Sequence, residues 1–270
     1  MFLRPVVFST ARMFSEFGPC ARALGVACCL LLPLAARADQ QTLTLTNATP
    51  PPGTNPAVFP LPRVEGWTAH FFKSLERTKQ GDVDLIFDGD SITDGWQGMG
   101  RTVWAKNYGN LKAVDFGISG DRTEHLLWRL DHGQVAGLHP KMVALMIGTN
   151  NTGNCTDVQI AEGVTAIVKE YQKLCPEAVI LLQAVFPRAE KATDPVRQKI
   201  KNVNEILAKL GDGKKVIYVD FGDKLLQPDG TLSKDIMPDF LHPNTKGYEI
   251  WADAIRPEIE KVFGPTSPAK

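Results

Sequence analysis

The chain alternates between short, continuously apolar runs and segments of helical character, and few folds accept that order. The runs are Val83–Phe87, Ala113–Ile118, Met142–Ile147, Ala178–Phe186 and Val216–Phe221. Each is predominantly apolar, interrupted by at most one acidic or amide residue (Asp84, Asp115, Gln183, Asp220), rather than apolar at every second position, which is the pattern of strands covered on both faces in a parallel sheet. Helical segments fall between them at Arg122–Leu130, Asp157–Leu174 and Pro195–Leu210. Two more, Gly66–Lys79 and Thr245–Phe263, precede the first run and follow the last. Repeated β-then-α units require crossover connections, so the expected fold class is α/β: a five-stranded parallel sheet inside a three-layer α/β/α sandwich.

In such a sheet, ligands bind beyond the carboxyl ends of the strands. The first run leads into Gly89-Asp90-Ser91, the second into Gly117-Ile118-Ser119-Gly120-Asp121, and the third into Gly148-Thr149-Asn150-Asn151. All three are polar, contain glycine and fall on the same edge. A fourth segment, Asp239-Phe240-Leu241-His242, stands just before the closing helix. A serine hydroxyl is a weak nucleophile until a base takes its proton, and the base in turn needs a group to orient it. Ser91, His242 and Asp239 supply those three parts if the loop before the last helix reaches the same edge. Gly120 can offer a backbone N–H, and Asn150 a side-chain amide, to a developing oxyanion.

Each of these residues also has a plainer reading. Ser91 could cap a helix, Asp239 and His242 could pair on the surface, Gly120 could serve a positive φ, and Asn150 could close an Asx turn. The serine does not lie in a Gly-x-Ser-x-Gly elbow, because Thr93 stands where the second glycine would be. His70, His125, His132 and His139 lie on or beside helical segments without a usefully placed carboxylate, and are read as surface or packing residues. Trp96, Met99 and Trp104 could line an acyl or sugar pocket, although a place in the core is preferred.

Ala23 to Ala35 is an apolar run preceded by Arg22 and followed by Ala36-Arg37-Ala38. This is the form of a secretory signal cut after Ala38, so residues 1–38 are expected to be a signal peptide and the protein to be secreted or periplasmic. The stretch before the run is long for such a signal, which makes Met13 a candidate start. Residues 39–62, with Pro50-Pro51-Pro52-Gly53 at their centre, read as an extended linker to a domain over 63–265. The signal would take with it four of the 30 basic and one of the 30 acidic residues, leaving 26 and 29. That balance gives no reason to expect nucleic acid as a partner, and no segment after the signal has the length and apolarity of a membrane span. Cys155 and Cys175 flank the helical segment Asp157–Leu174, too far apart for a bridge, and are expected as free thiols. No sequence pattern calls for a metal or a dinucleotide, so no cofactor is expected.

Taken in order, Gly89-Asp90-Ser91-Ile92, Gly117-Ile118-Ser119-Gly120-Asp121, Gly148-Thr149-Asn150-Asn151 and Asp239-x-x-His242 resemble the four blocks of the SGNH, or GDSL-type, serine hydrolases. Phe116 to Thr123 and Trp128-Arg129-Leu130 are similar to the branch related to platelet-activating-factor acetylhydrolase catalytic subunits. Two positions depart from the usual wording: Ile92 replaces a leucine, and Asn151 replaces an aspartate. The resemblance implies a flavodoxin-like sheet and an esterase acting through a covalent acyl-enzyme on short-chain, above all acetyl, esters of small molecules or carbohydrates. It implies Ser91 as nucleophile, His242 as base and Asp239 as its orienter, with the Ser91 N–H, the Gly120 N–H and the Asn150 amide as oxyanion hole. Two other readings remain. Asp88-x-Asp90 after an apolar strand resembles the opening of haloacid-dehalogenase-type phosphatases, although Thr93 falls one position late. The chain could also be a non-catalytic, glycan-binding relative.

Overall fold

The computed structural model describes residues 49–63 and 66–266. The expected signal peptide and residues 39–48 of the expected linker lie outside the described residues. In chain order the elements are α1 (Trp67–Lys79), β1 (Leu85–Gly89), α2 (Ser91–Asp94), α3 (Arg101–Tyr108), β2 (Ala113–Asp115), α4 (Thr123–Asp131) and β3 (Met142–Met146). They continue with α5 (Asp157–Leu174), β4 (Val179–Gln183), α6 (Pro195–Leu207), β5 (Val216–Val219) and α7 (Thr245–Phe263). The five strands form one sheet in the order β2-β1-β3-β4-β5, with every pair parallel. The chain thus forms the expected α/β/α sandwich.

Continuous apolarity within a strand serves both layers at once. In β1, Ile86 belongs to the core shared with α4, α5 and α6 on one face, while Leu85 and Phe87 belong to the core shared with α3 and α7 on the other. β1 lies between β2 and β3, so the residues that follow it leave from the interior of the sheet. No described helix is long and apolar enough to cross a membrane.

Several boundaries differ from the expected ones, each for a local reason. β1 runs on through Asp88 and Gly89, paired with Leu145 and Met146, because the buried Asp88 finds Arg129 as a partner. β2 stops at Asp115, whose side chain turns the chain by accepting from the Gly117 N–H at 2.8 Å. The expected helix Pro195–Leu210 tightens over its last three residues into a 3-10 turn. The helices α2 and α3 were not expected. Trp96, on a 3-10 turn between them, and Trp104, on α3, join an aromatic cluster with Phe87 and Tyr108, while Met99 stays 58% exposed. Cys155 and Cys175 are buried free thiols.

Over its described part, the Pro- and Thr-rich stretch before the domain lies against it. Ala57 is fully buried, and its carbonyl accepts from Thr123 Oγ1 at 2.7 Å. Asn55 donates to the Gln159 carbonyl on α5, and the Leu61 N–H to the Glu124 carbonyl on α4. Gly163 makes room for this contact: a Cβ there would stand 2.7 Å from the Ala57 carbonyl.

Candidate active site

β1 and β3 approach each other closely at their carboxyl ends, which is why a glycine ends β1. A Cβ at Gly89 would lie 2.1 Å from the Met146 carbonyl and 2.4 Å from Thr93 Oγ1. Asp90 then turns the chain, and its side chain caps α2 by accepting from the Ile92 N–H at 3.0 Å. Ser91 is therefore the first residue of α2, and its N–H belongs to the donors that a first helical turn leaves without an intrahelical partner. Burial pushes the Asp90 carboxyl up to about 7, against the pull of the Ile92 N–H.

The loop before α7 reaches this point from the other end of the chain. Tyr248 on α7 donates to the Ile92 carbonyl at 2.7 Å, and Thr245 to the Met99 carbonyl at 2.9 Å, which seats α7 on the turn after Ser91. Asn244 caps α7 by accepting from the Gly247 N–H at 3.2 Å. Ahead of that cap, Asp239 Oδ1 accepts from the N–H groups of Leu241 at 3.1 Å and His242 at 2.7 Å. This tight turn holds Phe240 at φ +59°, in the left-handed region. Asp239 Oδ2 lies 2.6 Å from His242 Nδ1, and His242 Nε2 lies 2.9 Å from Ser91 Oγ. A proton held on Nδ1 by the carboxylate leaves Nε2 able to accept from the serine hydroxyl. Partial burial raises Asp239, but the hydrogen bonds from His242 and Leu241 outweigh it and hold the carboxyl below its ordinary value.

The other two strand-end loops adjoin the first. The Ile118 N–H donates to the Gly89 carbonyl at 3.2 Å, so the second loop leaves the sheet beside β1. Its turn closes from the Asp121 N–H to the Ile118 carbonyl at 3.0 Å, with Gly120 at φ +81°. Asn150 Nδ2 donates to the Asp121 carbonyl at 2.8 Å, tying the third loop to the second and leaving one amide hydrogen free for another acceptor. Asn151 points inward instead, bonding the Thr123 N–H and Glu124.

A buried ionic network underlies these loops. Arg129, on α4 and fully buried, donates to Asp121 at 2.8 Å, to Asp88 at 3.0 Å and to the Phe116 carbonyl at 3.0 Å. Trp67 donates to the second oxygen of Asp121, and Tyr171 to that of Asp88. One guanidinium therefore joins the serine strand to the Gly120 loop. Burial raises both carboxyls despite Arg129, Asp121 to about 6. Asp88, which the phosphatase alternative would need as nucleophile, is fully buried in this network.

The structure thus brings Ser91, His242 and Asp239 into one hydrogen-bonded row, with the Gly120 and Asn150 loops joined beside it. His125 is buried and accepts from the Arg122 N–H, while His132 stacks on Trp128. Sequence reasoning missed Asp94, which accepts from Ser119 Oγ, and Arg188, which donates to the Thr149 carbonyl at 3.2 Å. Arg129 was visible only as part of Trp128-Arg129-Leu130.

Residues 87–250 match the model of the GDSL-like Lipase/Acylhydrolase family. The chain is 34% identical over 203 residues to platelet-activating factor acetylhydrolase IB subunit alpha1 of Rattus norvegicus, a match covering 73% of this chain and 85% of the relative. It is 34% identical over 195 residues to the alpha2 subunit of Gallus gallus, covering 70% and 83%. Among solved structures, a GDSL-like lipase from Bacteroides thetaiotaomicron aligns with a TM-score of 0.58 at 19% identity, covering 73% of this chain and 98% of that one. A catalytic mutant of an acetylxylan esterase from Geobacillus stearothermophilus aligns with a TM-score of 0.54 at 19% identity, covering 70% and 98%. These structural likenesses bear on the fold.

Proposed function

The chain belongs to the GDSL-like lipase/acylhydrolase family, in its platelet-activating-factor-acetylhydrolase-like branch, and is a carboxylic ester hydrolase; on that premise we propose that it is an exported serine esterase removing acetyl and other short acyl groups. Ser91 is the nucleophile, His242 its base and Asp239 the orienting carboxylate. The observation that carries this reading is the row Asp239 Oδ2–His242 Nδ1 and His242 Nε2–Ser91 Oγ, at 2.6 and 2.9 Å.

In the first half-reaction Ser91 Oγ attacks the ester carbonyl while His242 Nε2 takes its proton. Negative charge then develops on the former carbonyl oxygen, where the Ser91 N–H, the Gly120 N–H and the free amide hydrogen of Asn150 act as donors. His242 returns the proton to the departing alcohol, and the acyl group stays on Ser91. Water repeats the cycle, with His242 again as base, and releases the acid. No step calls on a metal.

The acetyl preference rests on the acetylhydrolase subunits to which the chain is similar, and export rests on the signal-like sequence over residues 1–38. An exported acetylesterase meets acetylated carbohydrate as an available substrate, and carbohydrate acetyl esters are the proposed natural class. The test is purified Ser91→Ala with p-nitrophenyl acetate. Loss of hydrolysis by more than about 10⁴-fold is expected, and wild-type activity in the variant would overturn the mechanism. Across p-nitrophenyl esters from two to twelve carbons, kcat/KM should be highest at the short end. A long-chain optimum would refute the acyl assignment.

A further inference from the structure

Arg63 lies outside the four motif blocks and outside the residues, 87–250, that match the family. Its guanidinium nevertheless meets one of the proposed oxyanion donors from behind. Nη1 donates to the Ser119 carbonyl at 2.6 Å, and a Cβ added to Gly120 would stand 2.6 Å from the same nitrogen. The Ser119 carbonyl and the Gly120 N–H are the two ends of a single peptide unit.

That unit is the middle peptide of the turn closed by the Asp121 N–H on the Ile118 carbonyl. Type I and type II turns differ in the direction this middle peptide faces, and a positive φ at the third residue marks type II. Gly120, at φ +81°, has that conformation. A trans peptide holds its C=O and N–H on opposite sides. With the carbonyl drawn to Arg63, the N–H must therefore face away from the guanidinium. A glycine at this position also accepts the type I conformation at little cost, so the turn alone does not fix the flip. A charged donor on the carbonyl fixes it, and also polarises the peptide so that the N–H becomes a stronger donor.

Neighbouring groups support the same arrangement. Ser119 Oγ donates to Asp94, which pins the residue before the flip. Arg63 stands 3.8 Å from Asp121 Oδ1, a carboxylate that draws the guanidinium toward the loop. The segment leading to Arg63 is itself docked through Ala57 and Leu61.

We propose that Arg63 is a positioning residue that latches the Ser119–Gly120 peptide in the flip presenting the Gly120 N–H to the oxyanion. The inference rests on the assignment of Ser91 as nucleophile and Gly120 as donor. It is tested on the full chain with p-nitrophenyl acetate, comparing Arg63→Ala, Arg63→Lys and Ser91→Ala. Arg63→Ala should lower kcat roughly 10- to 100-fold, somewhat less than the loss of an oxyanion donor itself, with KM changed by less than about threefold. Arg63→Lys should recover part of the loss, and millimolar guanidinium should restore Arg63→Ala without accelerating the wild type. Wild-type kcat in a folded Arg63→Ala would overturn the latch. So would a loss that neither lysine nor guanidinium repairs. If Ser91→Ala is inactive while Arg63→Ala is unimpaired, only the latch fails; if Ser91→Ala is active, the proposed function itself fails.

Discussion

Asp239 accepts two hydrogen bonds from His242, one from the backbone N–H at 2.7 Å and one from ring Nδ1 at 2.6 Å. The carboxylate therefore orients the ring and also shapes the turn that carries it. Its removal should loosen the base without deleting it.

Asp239→Asn is accordingly expected to retain more activity than His242→Ala. His242→Ala should lower kcat by about 10⁶-fold and Asp239→Asn by about 10⁴-fold, following the ranking known for such triads. Steady-state kinetics on an acetyl ester decide the order, and the reverse ranking would tell against His242 as the base.

Gly89→Ala should abolish activity and destabilise the fold, although it adds one methyl group. The Cβ would be driven into the Met146 carbonyl and Thr93 Oγ1, and neither the backbone of β3 nor the buried Thr93 of α2 can yield freely. A cost on the order of 3 kcal/mol is expected, from overpacking at a backbone contact. Thermal or denaturant unfolding measures it, and an unchanged midpoint would refute the close approach.

Stability should fall as pH rises across the range in which Asp90 titrates. Its folded value of about 7 lies above the unfolded 3.8, so between them the folded chain keeps a proton that the unfolded chain has released. Asp121, raised to about 6, acts in the same direction over the lower part of that range. His125, lowered to about 3 chiefly by burial, opposes both below its unfolded 6.5. Asp90→Asn isolates the first contribution, since asparagine keeps the helix cap but does not titrate. Between pH 5 and 8 the melting temperature of Asp90→Asn should gain on the wild type by about 5 °C. A difference that stays constant with pH would refute the raised carboxyl.

The site was legible in the sequence where chemistry is local. The strand-end loops were legible because each follows an apolar run with glycine and polar residues. What escaped depends on distant partners. Asp88 can occupy a strand because Arg129, 41 residues away, neutralises it, and no local rule anticipates that. The segment of α2 and α3 owes its place to Trp96, on the 3-10 turn between the two helices, and Trp104, on α3, meeting Phe87 across the layer. Arg63 reaches Ser119 across 56 residues from the first position of the expected domain, next to a stretch whose prolines and threonines suggested only extension.

The docking of residues 55–63 has a consequence for when the site comes into being. The Gly120 turn is held from a stretch preceding the first strand, and the proposed base for Ser91 comes from a loop following the last. Early and late parts of the chain must both be seated before the groups around the serine are complete. A partly folded molecule would present Ser91 without its base or without its latch. Ester hydrolysis would then report the end of folding rather than its progress, and a fragment cut to the span of the recognisable motifs would keep the nucleophile while losing control over the oxyanion.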